Sequence, residues 1–205
     1  MATTLDAPRL RPAHRARRRR PDLERAVPAA LFIVALAVYA TFAAEWPTEW
    51  DSVSLVFSVD RFDVTDASPH APGYWLYVAA GRLVRAVTPL GPADSLLAAS
   101  ALAAAATVAL AYMVGRSLGG RWLGVVAAAG LLTSPFLAFY GSSVASYPFD
   151  ALASLVLLHL AWRSRPGSWH APAAAAALAL AGGARQTSLV LLAPLALVAV
   201  VRGLR

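Results

Sequence analysis

The chain has 205 residues, of which 59% are hydrophobic and 14% are charged, and it contains no cysteine. The charged fraction is well below that of a soluble domain, and long apolar runs recur, so the composition predicts a polytopic membrane protein. The lack of cysteine excludes disulfides, thiol catalysis and cysteine-bound metal. The net charge of +7 does not indicate nucleic-acid binding, because the arginines concentrate in the N-terminal arm and at the ends of apolar runs, where they act as topology signals.

Residues 1–26 form a basic, proline-containing arm that we predict to be disordered and cytoplasmic. Such an arm can also begin a signal peptide. Here the apolar run 27–44 is long enough to span a membrane, and Glu-Trp-Pro follows it instead of a small-residue cleavage site. The run therefore predicts a first transmembrane helix, with residues 27–205 forming a transmembrane bundle.

The first outer loop, residues 45–90, is acidic and aromatic. Six of the eleven acidic residues lie in its first half: Glu45, Glu49, Asp51, Asp60, Asp63 and Asp66. Apolar residues among polar ones predict two amphipathic interfacial helices, at 51–62 and 73–87. Pro89, Gly91 and Pro92 should end the second one.

Five further apolar runs predict spans at 93–114, 122–139, 148–162, 170–181 and 188–201, which gives an all-α bundle of about six spans. The arginines of the alternate connections, between residues 115 and 121, between 163 and 165 and after 201, place those connections and the N-terminus in the cytoplasm. The outer side then holds residues 45–90, 140–147 and 182–187. We expect these three outer segments to meet and build one site.

Asp51 is the first candidate for chemistry, because it follows the first span and lies between Trp50 and Ser52. A carboxylate at that depth can accept a proton from an acceptor hydroxyl or bind a metal. The alternative is an ordinary solvated acid in a loop.

The sequence Pro-His-Ala-Pro-Gly-Tyr-Trp at 69–75 is the second candidate. Gly73 allows the chain to approach a ligand closely, and His70, Tyr74 and Trp75 could hold a phosphate and an isoprenoid chain at the water boundary. The alternative is an aromatic belt with a prolyl turn.

Asp150 and Arg185 are the remaining candidates. An acid inside a span costs about 2.5 to 3.5 kcal/mol on insertion scales, so Asp150 is a functional candidate unless its position near the surface keeps it hydrated. Arg185, followed by Gln186, could bind phosphate bidentately. The alternative for Arg185 is a counter-ion to Asp150 or to lipid headgroups. His159 is interpreted as a packing or interfacial residue.

The order of these motifs resembles the multi-spanning GT-C glycosyltransferases, in particular bacterial members related to protein O-mannosyltransferases and lipid A aminoarabinose transferases. The resemblance rests on Glu-Trp-Asp at 49–51, Asp-Arg-Phe-Asp at 60–63 and His-Ala-Pro-Gly-Tyr-Trp-Leu-Tyr at 70–77. It extends through Tyr-Pro-Phe-Asp at 147–150 and Gly-Ala-Arg-Gln at 183–186. It thus covers nearly all of the chain after the basic arm.

The resemblance implies an enzyme of a bacterial plasma membrane that transfers a hexosyl or pentosyl group from a polyprenyl-phosphate donor to an acceptor at the outer face. Asp51 matches the catalytic acid of the first loop, and the loop motif near the donor matches His70, Pro72, Gly73 and Tyr74. The donor-binding set that we expect is His70, Tyr74, Tyr147, Asp150, Arg185 and Gln186.

Two positions depart from the family pattern. Ala71 stands where the motif often has proline, and Ser52 stands where several relatives carry a second acid. No metal ligand is therefore assigned, although a divalent metal remains open. The expected partners are the lipid-linked donor and membrane lipids, and not nucleic acid.

Two rival interpretations remain open. One is a non-enzymatic subunit of a lipid or solute transporter, with Asp150 and Arg185 lining a path. The other is an inactive fragment of a transferase, because the family members are longer and this chain ends just after the sixth predicted span. In that case a C-terminal half or a partner subunit is missing. The sequence identifies neither the sugar nor the acceptor.

Overall fold

The computed structural model describes residues 21–47, 49–71 and 73–205, and it confirms the all-α prediction, because this part of the chain contains helices and no strand. Residues 1–20 of the predicted arm, and Pro72 of the loop motif, lie outside the described residues. The α-helices are α1 Pro21–Thr41, α2 Trp50–Asp60, α3 Trp75–Val87, α4 Pro92–Leu132, α5 Pro135–Gly141, α6 Tyr147–Arg163, α7 His170–Ala184 and α8 Thr187–Leu204.

The first helix begins earlier than the apolar run predicted. Among the described residues the helix runs from Pro21, so residues 21–26 of the predicted disordered arm are helical. The helix packs on α4 through Tyr39, Ala104 and Val108, which are all almost fully buried.

Helix α4 is two helical limbs joined at a glycine pair. Gly119 and Gly120 leave the helical conformation, and Gly120 has a φ of 83°, so residues 92–118 and 121–132 fold back on each other. The limbs touch through two further glycines. A Cβ on Gly115 would lie 2.9 Å from the Leu123 carbonyl oxygen, and one on Gly124 would lie 2.7 Å from that of Tyr112. The turn predicted at 115–121 therefore starts four residues later, at Gly119. Gly115 remains in the first limb of α4 and packs against the second limb.

The predicted third span, 122–139, is interrupted in its second half. Its helix ends at Leu132, and α5 begins at Pro135. Proline has no N–H to continue the α-helical hydrogen bonds, and it restricts the backbone of the residue before it. An interruption of the helix at Thr133 and Ser134 is therefore expected. A short segment, residues 142–146, then leads into α6.

The last three helices share a hydrophobic cluster of their own. Leu157 of α6, Ala174 of α7 and Ala199 of α8 are buried against one another. Helix α7 extends to Ala184, so the predicted outer turn 182–187 is reduced to Arg185 and Gln186. The small residues of α7 allow this close packing.

Two helices, α4 and α8, are long and apolar enough to cross a membrane, judged by length and composition. The segment Ala26–Thr41 of α1 and the helix α7 are apolar but shorter. The two helices predicted at 51–62 and 73–87 are present as α2 and α3, and they pack over one end of α4 through Leu55, Tyr77 and Leu96. This places the acidic loop directly against the helices that carry the other candidate residues.

Candidate functional site

One cavity brings together residues from three distant parts of the sequence. Its lining includes Glu49 and Asp51 at the start of α2, Tyr74 before α3, Tyr147 at the start of α6, and Arg185 between α7 and α8. The three outer segments predicted from the sequence therefore meet in the structure. The space that these acidic, tyrosine and arginine residues line is small, about 20 Å³, which is room for about one water molecule.

Asp51 lies in the first turn of α2, and its side chain is 58% exposed. One carboxylate oxygen, Oδ2, lies 3.7 Å from Nε2 of His70. The other ring nitrogen of His70, Nδ1, lies 3.0 Å from Oγ of Ser54, one turn further along α2. His70 therefore contacts the helix that carries Asp51, and the structure places it beside the carboxylate.

Tyr74 has an unusual backbone conformation at the edge of this cavity. Its φ of 43° lies in the left-handed region, which a bulky side chain seldom adopts. Such residues cluster at functional sites, where the surrounding structure holds them in place. Burial raises the pKa of Tyr74, so its hydroxyl remains a hydrogen-bond donor at neutral pH.

The next residue, Trp75, fixes this conformation from the far side. Its indole lies against the backbone of Gly183 in α7, where a Cβ would come within 2.5 Å of the ring. The start of α3 is thereby held on the end of α7. This contact sets the position of Tyr74 relative to Arg185.

Arg185 is engaged by two groups of α6. Its Nε lies 3.4 Å from Oδ2 of Asp150, and its guanidinium carbon lies 4.0 Å from the centre of the Tyr147 ring. Asp150 also accepts a hydrogen bond from the Ser188 hydroxyl of α8. The structure thus shows the ion pair between Arg185 and Asp150 that the sequence left open as an alternative.

A second cleft of about 330 Å³ adjoins the first, and Tyr74 and Arg185 line both. The other residues that line it are Ala71, Gln186 and Thr187, so it opens at the N-terminus of α8. A helix N-terminus and a guanidinium both favour an anion. The second cleft is therefore suited to a phosphate, whereas the first holds the acids.

The structure brings most of the predicted residues together. Asp51, Tyr74, Tyr147 and Arg185 line the first cavity, and Gln186 lines the second cleft. His70 contacts Asp51, whereas Asp150 contacts Arg185. The sequence analysis assigned His70 and Asp150 to direct binding of the donor, whereas in the structure their side chains contact Asp51 and Arg185.

Glu49 is a residue of the cavity that the sequence analysis did not single out. Its spacing of two residues from Asp51, at the start of a helix, could have indicated that both carboxylates share one end of α2. Among the described residues, no group of three or more histidine or acidic side chains is placed to hold a metal ion.

Buried hydroxyl groups fix segment 142–146, which forms the floor of the cavity. The Ser52 hydroxyl donates to the Val144 carbonyl oxygen at 2.8 Å. The Ser100 hydroxyl donates to the Ala145 carbonyl oxygen at 2.8 Å and contacts the Tyr77 hydroxyl at 2.8 Å. All three side chains are at most 1% exposed, so water cannot replace these bonds.

We expect Ser100→Ala to lower the free energy of unfolding by about 1 to 3 kcal/mol, because the buried carbonyl and N–H of Ala145 both lose their hydrogen bond to the Ser100 hydroxyl. Thr107→Val is the matched control, since Thr107 is buried in the same helix but bonds only to a carbonyl of that helix. The free energy of unfolding of both variants is measured in detergent micelles, with sodium dodecyl sulfate as the denaturant. An equal loss in the two variants would show that Ser100 does not hold this segment.

Comparison with protein-family models, curated proteins and solved structures finds no match to this chain.

Proposed function

We propose that the chain is a membrane glycosyltransferase that moves a sugar from a polyprenyl-phosphate donor to an acceptor hydroxyl at the outer membrane face. One observation carries the proposal. The carboxylate of Asp51 and the guanidinium of Arg185 line one cavity, and the wall formed by Arg185 and Tyr74 continues into a cleft suited to an anion. Such a transfer needs a base on one side of the anomeric carbon and a phosphate site on the other.

The proposed chemistry assigns one role to each side of the cavity. Asp51 takes the proton of the acceptor hydroxyl while the acceptor oxygen bonds to the anomeric carbon. The bond from that carbon to the phosphate oxygen breaks, and the lipid phosphate leaves with the electron pair. Arg185 and the N-terminus of α8 stabilise the negative charge that develops on the phosphate.

The surface of the helices supports a position in the membrane. Val190, Leu191 and Leu197 of α8 are 62% to 78% exposed, and such apolar surface is rare on soluble monomers. The 41 residues of α4 would measure about 60 Å as one straight helix, about twice the hydrocarbon thickness of about 30 Å. The break at Gly119 and Gly120 divides it into limbs of about 40 Å and about 18 Å, and the shorter limb reaches the required length only together with α5.

We propose six spans on this basis: α1, the first limb of α4, the second limb with α5, and then α6, α7 and α8. Arg163 and Arg202 lie at the ends of α6 and α8 remote from the cavity. The positive-inside rule then places the cavity outside and the N-terminus in the cytoplasm.

Cysteine labelling in intact cells measures this orientation, because the chain has no cysteine of its own. Ala67→Cys and Pro166→Cys are suitable variants, since both positions are exposed and neither change alters the charge. We expect a membrane-impermeant maleimide to label residue 67 and not residue 166. Labelling of residue 166 alone would reverse the orientation and place the cavity in the cytoplasm.

The proposed activity is tested by release of polyprenyl phosphate from a set of radiolabelled polyprenyl-phosphate sugars. Membranes of cells that produce the chain are compared with membranes of cells that do not. Chain-dependent release from at least one sugar donor supports the transferase. Absence of release from hexosyl and pentosyl donors alike, with a correctly inserted chain, would contradict it.

A further inference from the structure

A chain of three polar side chains connects the loop before α3 to the first two turns of α2. The Ser54 hydroxyl lies 2.9 Å from the Asp51 carbonyl oxygen and donates to it. The same hydroxyl lies 3.0 Å from Nδ1 of His70, and Nε2 of that ring lies 3.7 Å from the Asp51 carboxylate. The ring is held in place, with its side chain 33% exposed and its centre 5.2 Å from that of Tyr74.

The direction of these hydrogen bonds selects one form of the neutral ring. A hydroxyl has a single hydrogen, and the Asp51 carbonyl oxygen can only accept. When Ser54 gives its hydrogen to that carbonyl, the contact with His70 is a hydrogen bond only if Nδ1 carries the hydrogen. The lone pair of a neutral His70 ring then lies on Nε2, the nitrogen that faces Asp51.

We propose that His70 assists Asp51 by taking over the proton that Asp51 removes from the acceptor. The inference rests on the proposed transferase function and adds the destination of the proton. It also gives His70 a role beside the base instead of at the donor phosphate.

The proton balance of the step is complete within these groups. The acceptor oxygen bonds to the anomeric carbon, the bond to the phosphate oxygen breaks, and the acceptor proton moves to the Asp51 carboxylate. The protonated carboxyl then rotates toward His70, closes the 3.7 Å separation to a hydrogen bond and gives this proton to Nε2. The result is a carboxylate beside an imidazolium, which attract each other at this distance. Water at the exposed edge of the ring removes the proton before the next cycle.

Charged and titratable groups from α2, from the start of α3 and from the connection between α7 and α8 lie around His70. Asp51 faces it from α2, and Tyr74 packs on it from the start of α3. Arg185 lies beyond Tyr74, with which it lines both clefts, and Glu49 lines the first cavity beside Asp51. Asp51 is the acid for which the structure records a contact with the His70 ring.

Nitrogen NMR of the full chain with ¹⁵N-labelled histidine tests the ring form directly. The chain has four histidines, and the His70 signal is identified by its loss in His70→Ala. At about pH 9 we expect the neutral His70 ring to carry its hydrogen on Nδ1. Ser54→Ala should move it toward Nε2. Ser58→Ala is the matched control, since the Ser58 hydroxyl bonds only within α2.

Kinetics of His70→Ala separate a proton role from a merely structural one. We expect turnover to fall on the order of 100-fold while KM for the donor is unchanged. Added imidazole should restore turnover in proportion to its concentration, which it would not do if the ring only supported the fold.

The outcomes distinguish this inference from the function on which it rests. A hydrogen on Nε2 of neutral His70 in an active chain, or an active His70→Ala, would overturn the relay and leave the transferase standing. A wild-type chain that turns over no lipid-linked sugar would end both. Imidazole rescue together with the Nδ1–H form supports the relay.

Discussion

Replacing Asp51 with Asn is expected to lower donor turnover by about 100-fold to 10,000-fold, the range of general base catalysis. The amide has nearly the shape of the carboxylate, so the first turn of α2 should remain intact. It cannot accept the acceptor proton at neutral pH. Donor affinity should persist, because the phosphate contacts lie in the cleft at the start of α8. Donor turnover and donor binding are measured side by side.

Glu49→Gln is the matched control, because Glu49 lines the same cavity and lies two residues away. We expect it to retain most of the activity. Full activity in Asp51→Asn with a large loss in Glu49→Gln would transfer the role of base to Glu49. Loss of donor binding in Asp51→Asn would instead identify Asp51 as a residue that holds the donor or the fold.

Replacing Arg185 with Ala should have the second large effect, and of a different kind. The guanidinium lines both the acid cavity and the anion cleft, so its removal should weaken donor binding and also slow turnover. A charge-assisted hydrogen bond contributes about 1.5 to 3 kcal/mol, which corresponds to about tenfold to 100-fold in donor affinity. Binding of a polyprenyl-phosphate sugar in detergent micelles measures it.

The ion pair with Asp150 complicates this variant and also provides its control. Arg185→Ala leaves the Asp150 carboxylate with Ser188 alone, so part of any loss would reflect weakened folding. The double variant Arg185→Ala with Asp150→Asn removes that unpaired charge. If the double variant binds the donor like the wild type, Arg185 serves the fold and not the phosphate.

Much of the fold could be predicted from the sequence, because long apolar runs and their flanking arginines report helices directly. The prediction of a helix at 51–62 corresponds to α2, and that at 148–162 corresponds to α6. The breaks were less predictable. The sequence does not distinguish Gly115 from Gly119. In the structure Gly115 stays helical and packs on the second limb of α4, whereas Gly119 leaves the helical conformation.

The candidate site was predictable in outline and not in its contacts. Helices that alternate in direction bring every second connection to one end of the bundle, which explains why Asp51, Tyr147 and Arg185 lie together. The contact between His70 and Ser54 depends on the path of the loop at 61–70, which no periodic pattern encodes. The ion pair of Asp150 depends on the last turn of α7, which extends beyond its predicted end.

Gly120 has a positive φ and allows the chain to turn back within α4. This turn determines the side of the proposed membrane on which Tyr147 and Arg185 lie. Each crossing of a bilayer inverts the side on which the chain emerges. If α4 continued without its break, every later connection would exchange sides, and Tyr147 and Arg185 would open opposite Asp51. Gly120 contacts neither Asp51 nor Arg185, and a Cβ on it would meet open space. It nevertheless determines whether these two side chains open on the same side of the proposed membrane. A side chain at Gly120 would strain this turn, because residues other than glycine rarely adopt a φ of 83° with a ψ of −174°.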